Sequence, residues 1–77
     1  MNAKKDLQKL LANPTEMNIH KIKIILSNLG FELKSIRGSH YKFFHQQAGT
    51  IIIPVHNGKV KRCYLQDIRS KITSRLY

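Results

Sequence analysis

At Gly30 the apolar spacing of this chain changes from helical to alternating, and that one change fixes the class of fold. Before it, Ile19, Ile22, Ile25, Leu26 and Leu29 recur on one helical face. Asn18 is a good N-cap for that helix, Met17 and Ile22 are spaced as a hydrophobic staple, and Gly30 ends the run as a C′ glycine does. After it, Phe31 and Leu33 fall on one side of a strand and Glu32 and Lys34 on the other, until Arg37-Gly38 turns the chain. A second strand is expected over about His40 to His45. Gln46-Gln47-Ala48-Gly49 fits a four-residue hairpin loop, and the β-branched run Thr50 to Val55 reads as a third strand.

Asn57-Gly58 opens a basic loop, Lys59-Val60-Lys61-Arg62, ahead of a last helix from about Tyr64 to Leu76. Leu65, Ile68, Ile72 and Leu76 form its apolar stripe, with Arg69, Lys71 and Arg75 elsewhere on its surface. At the other end, Leu7, Leu10 and Leu11 mark a short amphipathic helix over Ala3 to Ala12, ended by Asn13-Pro14. The expectation is an α+β chain in one domain, residues 1–77. Its order is helix, helix, strand, strand, strand, helix, with residues 1–17 as an N-terminal extension of a core at 18–77.

A chain of 77 residues buries only about 60% of its unfolded surface, so the core is thin. There is no room for a deep substrate cavity; a shallow surface feature that recognises something large and charged fits better. The charge agrees: 14 Lys and Arg against 4 Asp and Glu give a net +10, which points to a nucleic acid. Basic membrane binders carry Trp or Phe on the apolar face of a helix, whereas all three Phe here lie between Phe31 and Phe44 in strand-like sequence. No membrane partner is expected. No stretch reaches the roughly 20 apolar residues of a transmembrane helix, and Lys, Asp and Gln interrupt the leucines of Met1 to Ala12, unlike a signal peptide. The lone Cys63 cannot form an internal disulfide, so a reduced, cytoplasmic chain is the simplest reading. A nucleophilic role is open to Cys63 beside Lys61 and Arg62, but a small half-buried residue ahead of the last helix is the better explanation. His20, with Lys21 and Lys23, reads as a solvated helix face.

The chemistry concentrates in Arg37-Gly38-Ser39-His40-Tyr41-Lys42-Phe43. Gly38 permits close approach of a backbone to a phosphate, Arg37 and Lys42 supply charge, and His40 supplies an imidazole, the side-chain type suited to moving a proton near neutral pH. Taken alone, Gly-Ser-His is weak evidence and reads first as a turn entering a strand. Elimination narrows the choice. Asp6, Glu16, Glu32 and Asp67 fall on separate elements, so the clustered carboxylates of a two-metal nuclease are missing. His40 and His45 point to opposite sides of a strand, which spoils a zinc site, and adjacent Ser39 and His40 make poor members of a triad with Asp67. Metal-free acid–base chemistry remains, with no cofactor expected. RNA suits it because the 2′-hydroxyl is a built-in nucleophile: His40 is the acid or base, Arg37 and Lys42 bind phosphate, and Gly38 and Ser39 offer amides. A loop at residues 46–49 puts Val55 opposite His40 and His56 beside it, as a candidate second acid or base. Strand alternation opposes that pairing, so a ligand contact or a surface residue is the other reading of His56.

These residues resemble the HicA family of bacterial toxins, through Leu29-Gly30-Phe31-Glu32, Lys34, the Arg37 to Phe43 segment, Ile51-Ile52-Ile53-Pro54-Val55-His56 and Leu65-Gln66-Asp67-Ile68. The likeness covers roughly residues 18 to 75. It implies a fold like the double-stranded RNA-binding domain, α-β-β-β-α with a three-stranded antiparallel sheet packed on helices. It also implies an mRNA endonuclease whose catalytic histidine is His40, and a HicB-type antitoxin. Lys59, Lys61 and Arg62 resemble the segment with which such domains grip phosphates. The helix at Ala3 to Ala12 departs from the family pattern, and Tyr41 stands where a second histidine is common. Tyr41 is then a base-stacking residue or a cross-strand packing one. The toxin alone is expected to be monomeric, and its antitoxin to cover the basic His40 surface with acidic and apolar groups. The competing functions are a non-catalytic RNA-binding module and, behind it, a DNA-binding partner subunit.

Overall fold

The computed structural model describes residues 16–76 together with Gln8 and Leu10. Asn18 has an extended backbone and its side chain accepts a 2.8 Å hydrogen bond from the backbone N–H of His20. This is the expected N-cap, and helix α1 follows it over Ile19–Asn28. Gly30 stands at φ +98° beyond the other end. There its N–H donates to the Ser27 carbonyl (3.1 Å) and that of Phe31 to the Leu26 carbonyl (2.9 Å), the bond pair of a Schellman motif. The helix therefore stops where the alternating pattern begins.

Strands β2 (Glu32–Arg37), β3 (His40–His45) and β4 (Gly49–Pro54) form an antiparallel sheet in the order β2-β3-β4. Gly38 and Ser39 make the first turn, and a positive φ at Gly38 (+59°) but not at Ser39 is the type II′ signature that matches strand twist. The second hairpin corrects the sequence reading by one residue. His45 pairs with Gly49, so the loop is Gln46-Gln47-Ala48 and Pro54, rather than Val55, lies opposite His40. The Val55 N–H donates to the Ser39 carbonyl at 2.7 Å, which makes His40 and Pro54 the next, non-hydrogen-bonded pair. Proline there removes no ladder bond, as suits an edge strand. On the open side of β4, Lys71 donates to the Thr50 carbonyl at 3.3 Å.

The last helix, α2, runs over Arg62–Leu76. The inner residues Phe43, Ile51 and Ile53 of the sheet share one buried cluster with Ile19, Ile22, Ile25 and Leu26 of α1 and Leu65, Ile68 and Ile72 of α2. Each such side chain contributes about 1.5–3 kcal/mol on full burial. The helix expected over Ala3 to Ala12 falls outside the described residues apart from Gln8 and Leu10, and Leu10 is fully buried in this cluster.

The segment read as a basic loop is instead a strand. Asn57 (φ +52°) and Gly58 (φ +73°) form a type I′ turn, after which β5 (Lys59–Lys61) pairs with β1 (Glu16–Asn18), placing buried Val60 opposite Met17. The Ile19 N–H closes this ribbon on the Gly58 carbonyl at 2.9 Å. Helix α2 then begins at Arg62 rather than about Tyr64, so Cys63 sits exposed in its first turn instead of half-buried ahead of it.

His45 holds the second hairpin to the end of α1. Its Nδ1 accepts from the backbone N–H groups of Gln47 (2.9 Å) and Ala48 (3.2 Å), and its Nε2 lies 2.9 Å from the Leu29 carbonyl. An accepting Nδ1 leaves the proton on Nε2, which donates to Leu29. The ring also meets Phe31, centroids 4.8 Å apart. A Cβ at Gly30 would come within 3.1 Å of this Nε2. Gly30→Ala should therefore cost about 2 kcal/mol, from the left-handed backbone and the displaced imidazole together. His45→Ala, which strands those amide donors and the Leu29 carbonyl, should cost about 1–3 kcal/mol. Urea denaturation measures both, and unchanged midpoints would refute the latch.

Candidate functional site

Strand β3 sorts its side chains by parity. Phe43 is buried and Tyr41 and His45 are half-buried on the core side, while His40, Lys42 and Phe44 are exposed on the other. Register then supplies their neighbours. Arg37 and Pro54 flank His40, Ser35 and Ile52 flank Lys42, and Glu32 and Thr50 flank Phe44. No helix covers this face at Ile52, which is 58% exposed.

A cleft of about 250 Å³ opens among Ser35, Arg37, His40, Lys42 and Ile52. It brings together Arg37, His40 and Lys42, three of the candidates that the sequence supplied. The result is an accessible imidazole between a guanidinium and an ammonium, able to take or give a proton beside an anion. Gly38 and Ser39 form the exposed turn at its end, and a Cβ at Gly38 would meet nothing within 4 Å, so the turn backbone is open to approach.

The other candidates fall elsewhere. Tyr41 packs against the core, which favours the packing reading over base stacking. His56 is exposed, but its backbone exchanges hydrogen bonds of 2.9 and 3.0 Å with Lys59, and it does not line the cleft. With Pro54 facing His40, alternation no longer opposes the two histidines. Strand β4 ends at Pro54, however, and His56 belongs to the turn beyond. Lys59 and Lys61 lie exposed on the β1–β5 ribbon either side of Val60, with Lys59 3.5 Å from Glu16, and Arg62 opens α2. They form a second basic surface, off the three-stranded sheet.

Sequence reasoning missed Ser35, Ile52 and Phe44. The period of β3 was enough to find Phe44, two steps of alternation from His40; the others needed the register. Lys34, at the β-bulge between Leu33 and Ser35, places its ammonium 6.0 Å from the Phe44 ring centroid and 2.7 Å from Glu32 Oε2. That hydrogen bond, with the charge behind it, holds the Glu32 carboxyl below its ordinary range. Among the described residues no three His, Cys, Asp or Glu side chains gather as a metal ion would require, and no helix is long and apolar enough to cross a membrane.

Residues 19–72 match the family model described as the HicA toxin of bacterial toxin-antitoxin systems. Comparison with curated proteins and with solved structures gave no match. The matched stretch starts at the first residue of α1, takes in the whole sheet and the His40 cleft, and ends within α2, where the buried stripe reaches Ile72. The chain belongs to the HicA toxin family and is thus the toxin of a pair that includes a cognate antitoxin.

Proposed function

We propose that this toxin is a metal-independent endoribonuclease that cleaves mRNA with His40 as its acid–base group. The observation that carries the reading is the exposed His40 in one cleft with Arg37 and Lys42. His40 takes the proton of a ribose 2′-hydroxyl, the 2′-oxygen forms a bond to the adjacent phosphorus, and the bond from phosphorus to the 5′-oxygen breaks as that oxygen takes a proton from solvent, to which His40 then returns its own. Arg37 and Lys42 stabilise the charge that gathers on the phosphoryl oxygens, and the open Gly38-Ser39 turn offers its amides to them. Among the described residues, Glu16, Glu32 and Asp67 stand on β1, β2 and α2, an arrangement that gives a pair of divalent ions no common clamp.

Lys59, Lys61 and Arg62 extend the contact with RNA phosphates beyond the cleft, and His56, in the turn before Lys59, has at most a lesser part as a second acid or base. The antitoxin blocks the enzyme by laying acidic and apolar groups over the cationic face that bears His40.

Purified toxin should cleave RNA in the presence of a chelator, leaving 2′,3′-cyclic phosphate and 5′-hydroxyl ends. His40→Ala should slow cleavage by about 100-fold or more while the variant still binds RNA, with a salt dependence like that of the parent; His56→Ala should slow it far less. Cleavage abolished by the chelator would refute metal independence. Binding without cleavage would leave a non-catalytic RNA-binding module, and tight sequence-specific binding to duplex DNA would favour a DNA-binding subunit. Toxin purified with its antitoxin should bind RNA far more weakly than toxin alone in an anisotropy titration, and equal binding would place the antitoxin elsewhere.

A further inference from the structure

The face that carries His40 does not end at Lys42. Beyond it lies a second recess, of about 530 Å³, lined by Glu32, Lys34, Phe44, Gln46 and Gln47 together with the latch residues Gly30 and His45. Phe44 shares the outward parity of His40 and Lys42 and is 39% exposed, although it is a large apolar side chain on a strand whose other face has a core to fill. Four residues at about 3.3 Å each put Phe44 roughly 13 Å along β3 from His40. An extended nucleic-acid strand bound at the cleft can reach it within a few nucleotides.

The chemistry of the recess matches one ligand class closely. A nucleobase has a flat π-face and a polar edge. Phe44 offers the flat face, the Glu32 carboxylate accepts N–H groups from a base edge, and the Gln46 and Gln47 side chains both donate and accept. Lys34 reaches over the Phe44 ring from a flexible, exposed side chain. It can yield that position to a base and turn its ammonium to the neighbouring phosphate, while Lys42 stands between the two hollows to hold another. Both hollows are shallow and lie on one strand, as a polymer needs.

We infer that the recess beside Phe44 is a nucleobase subsite for single-stranded RNA, placed a few nucleotides from the bond at His40, with Phe44 as its stacking surface. The inference rests on the ribonuclease reading above and adds to it that the substrate lies across the open sheet as a single strand. A base in a duplex is already stacked on both sides and cannot settle on the ring.

The chain has no tryptophan, so Phe44→Trp introduces a single reporter. Its emission should be quenched by a single-stranded 2′-O-methyl RNA, which 2′-hydroxyl attack cannot cleave, and much less by the same sequence in a duplex. In anisotropy titrations of that strand, Phe44→Ala should weaken binding by about ten-fold, whereas Phe44→Tyr, which keeps the ring, should bind like the parent. Absent quenching, together with unchanged affinity in Phe44→Ala, would overturn the subsite. So would a Phe44→Ala variant that binds RNA normally but has lost its antitoxin, since the recess would then be a protein contact. Failure of the enzyme reading looks different: the single strand binds and quenches the indole, yet unmodified RNA stays intact.

Discussion

Phe43 decides which way the central strand faces. At 2% exposure, among side chains from both helices, it cannot turn outward without taking a large apolar surface into water. Because side chains in a strand alternate, that commitment leaves His40, Lys42 and Phe44 no choice but solvent. A slip of one residue in β3 would bury a histidine and a lysine and expose three residues that now serve the core side. The outward face is thus held by its inward neighbours, and its polar groups need no packing of their own to keep their direction.

Two histidines five residues apart on this strand show how far environment separates one side chain from another. His45 has both ring nitrogens occupied by the backbone, Nδ1 by two amides and Nε2 by the Leu29 carbonyl, and one ring face turned to Phe31. In that setting the imidazole replaces backbone partners that the end of α1 and the hairpin loop would otherwise lack. His40 stands on the opposite side with its ring in the open cleft. A histidine committed to structural hydrogen bonds cannot exchange a proton without breaking them. The exposed ring in the cleft carries no such structural bonds among the described residues.

What the sequence carried, it carried through local signals. The cap at Asn18, the stop at Gly30 and the bounds of β3 are each set by residues within a few positions, and the structure has them where spacing put them, while the turn expected at Arg37-Gly38 lies one residue later, at Gly38-Ser39. The same holds for Arg37, His40 and Lys42, which one hairpin brings together. The β1–β5 ribbon was illegible because three residues on each strand, joined across the whole length of the sheet, leave no periodic trace. The register of β3 against β4 was misread by one because a run of β-branched residues reads the same in either phase; only the buried partners Ile51 and Ile53 settle it. That single residue also decides what stands across from His40. Proline, lacking an N–H, is tolerated there only because the pair is the non-hydrogen-bonded one.

The small size of the chain and its excess of positive charge act together. With this few residues, the buried cluster between the sheet and the helices takes the larger share of the aliphatic side chains, and Ile52 and Phe44 on the outer face stay exposed. The outer face therefore stays open, and affinity for any ligand has to come from charge and stacking spread over length rather than from enclosure. Exposed cations are screened singly, but a polyanion that meets several releases its counterions and gains from each. The same logic governs the antitoxin. If the antitoxin covers this face, as proposed, it meets an open cationic surface together with the exposed Ile52 and Phe44, and a broad contact has to match both. On that proposal RNA and antitoxin would exclude each other through shared area alone.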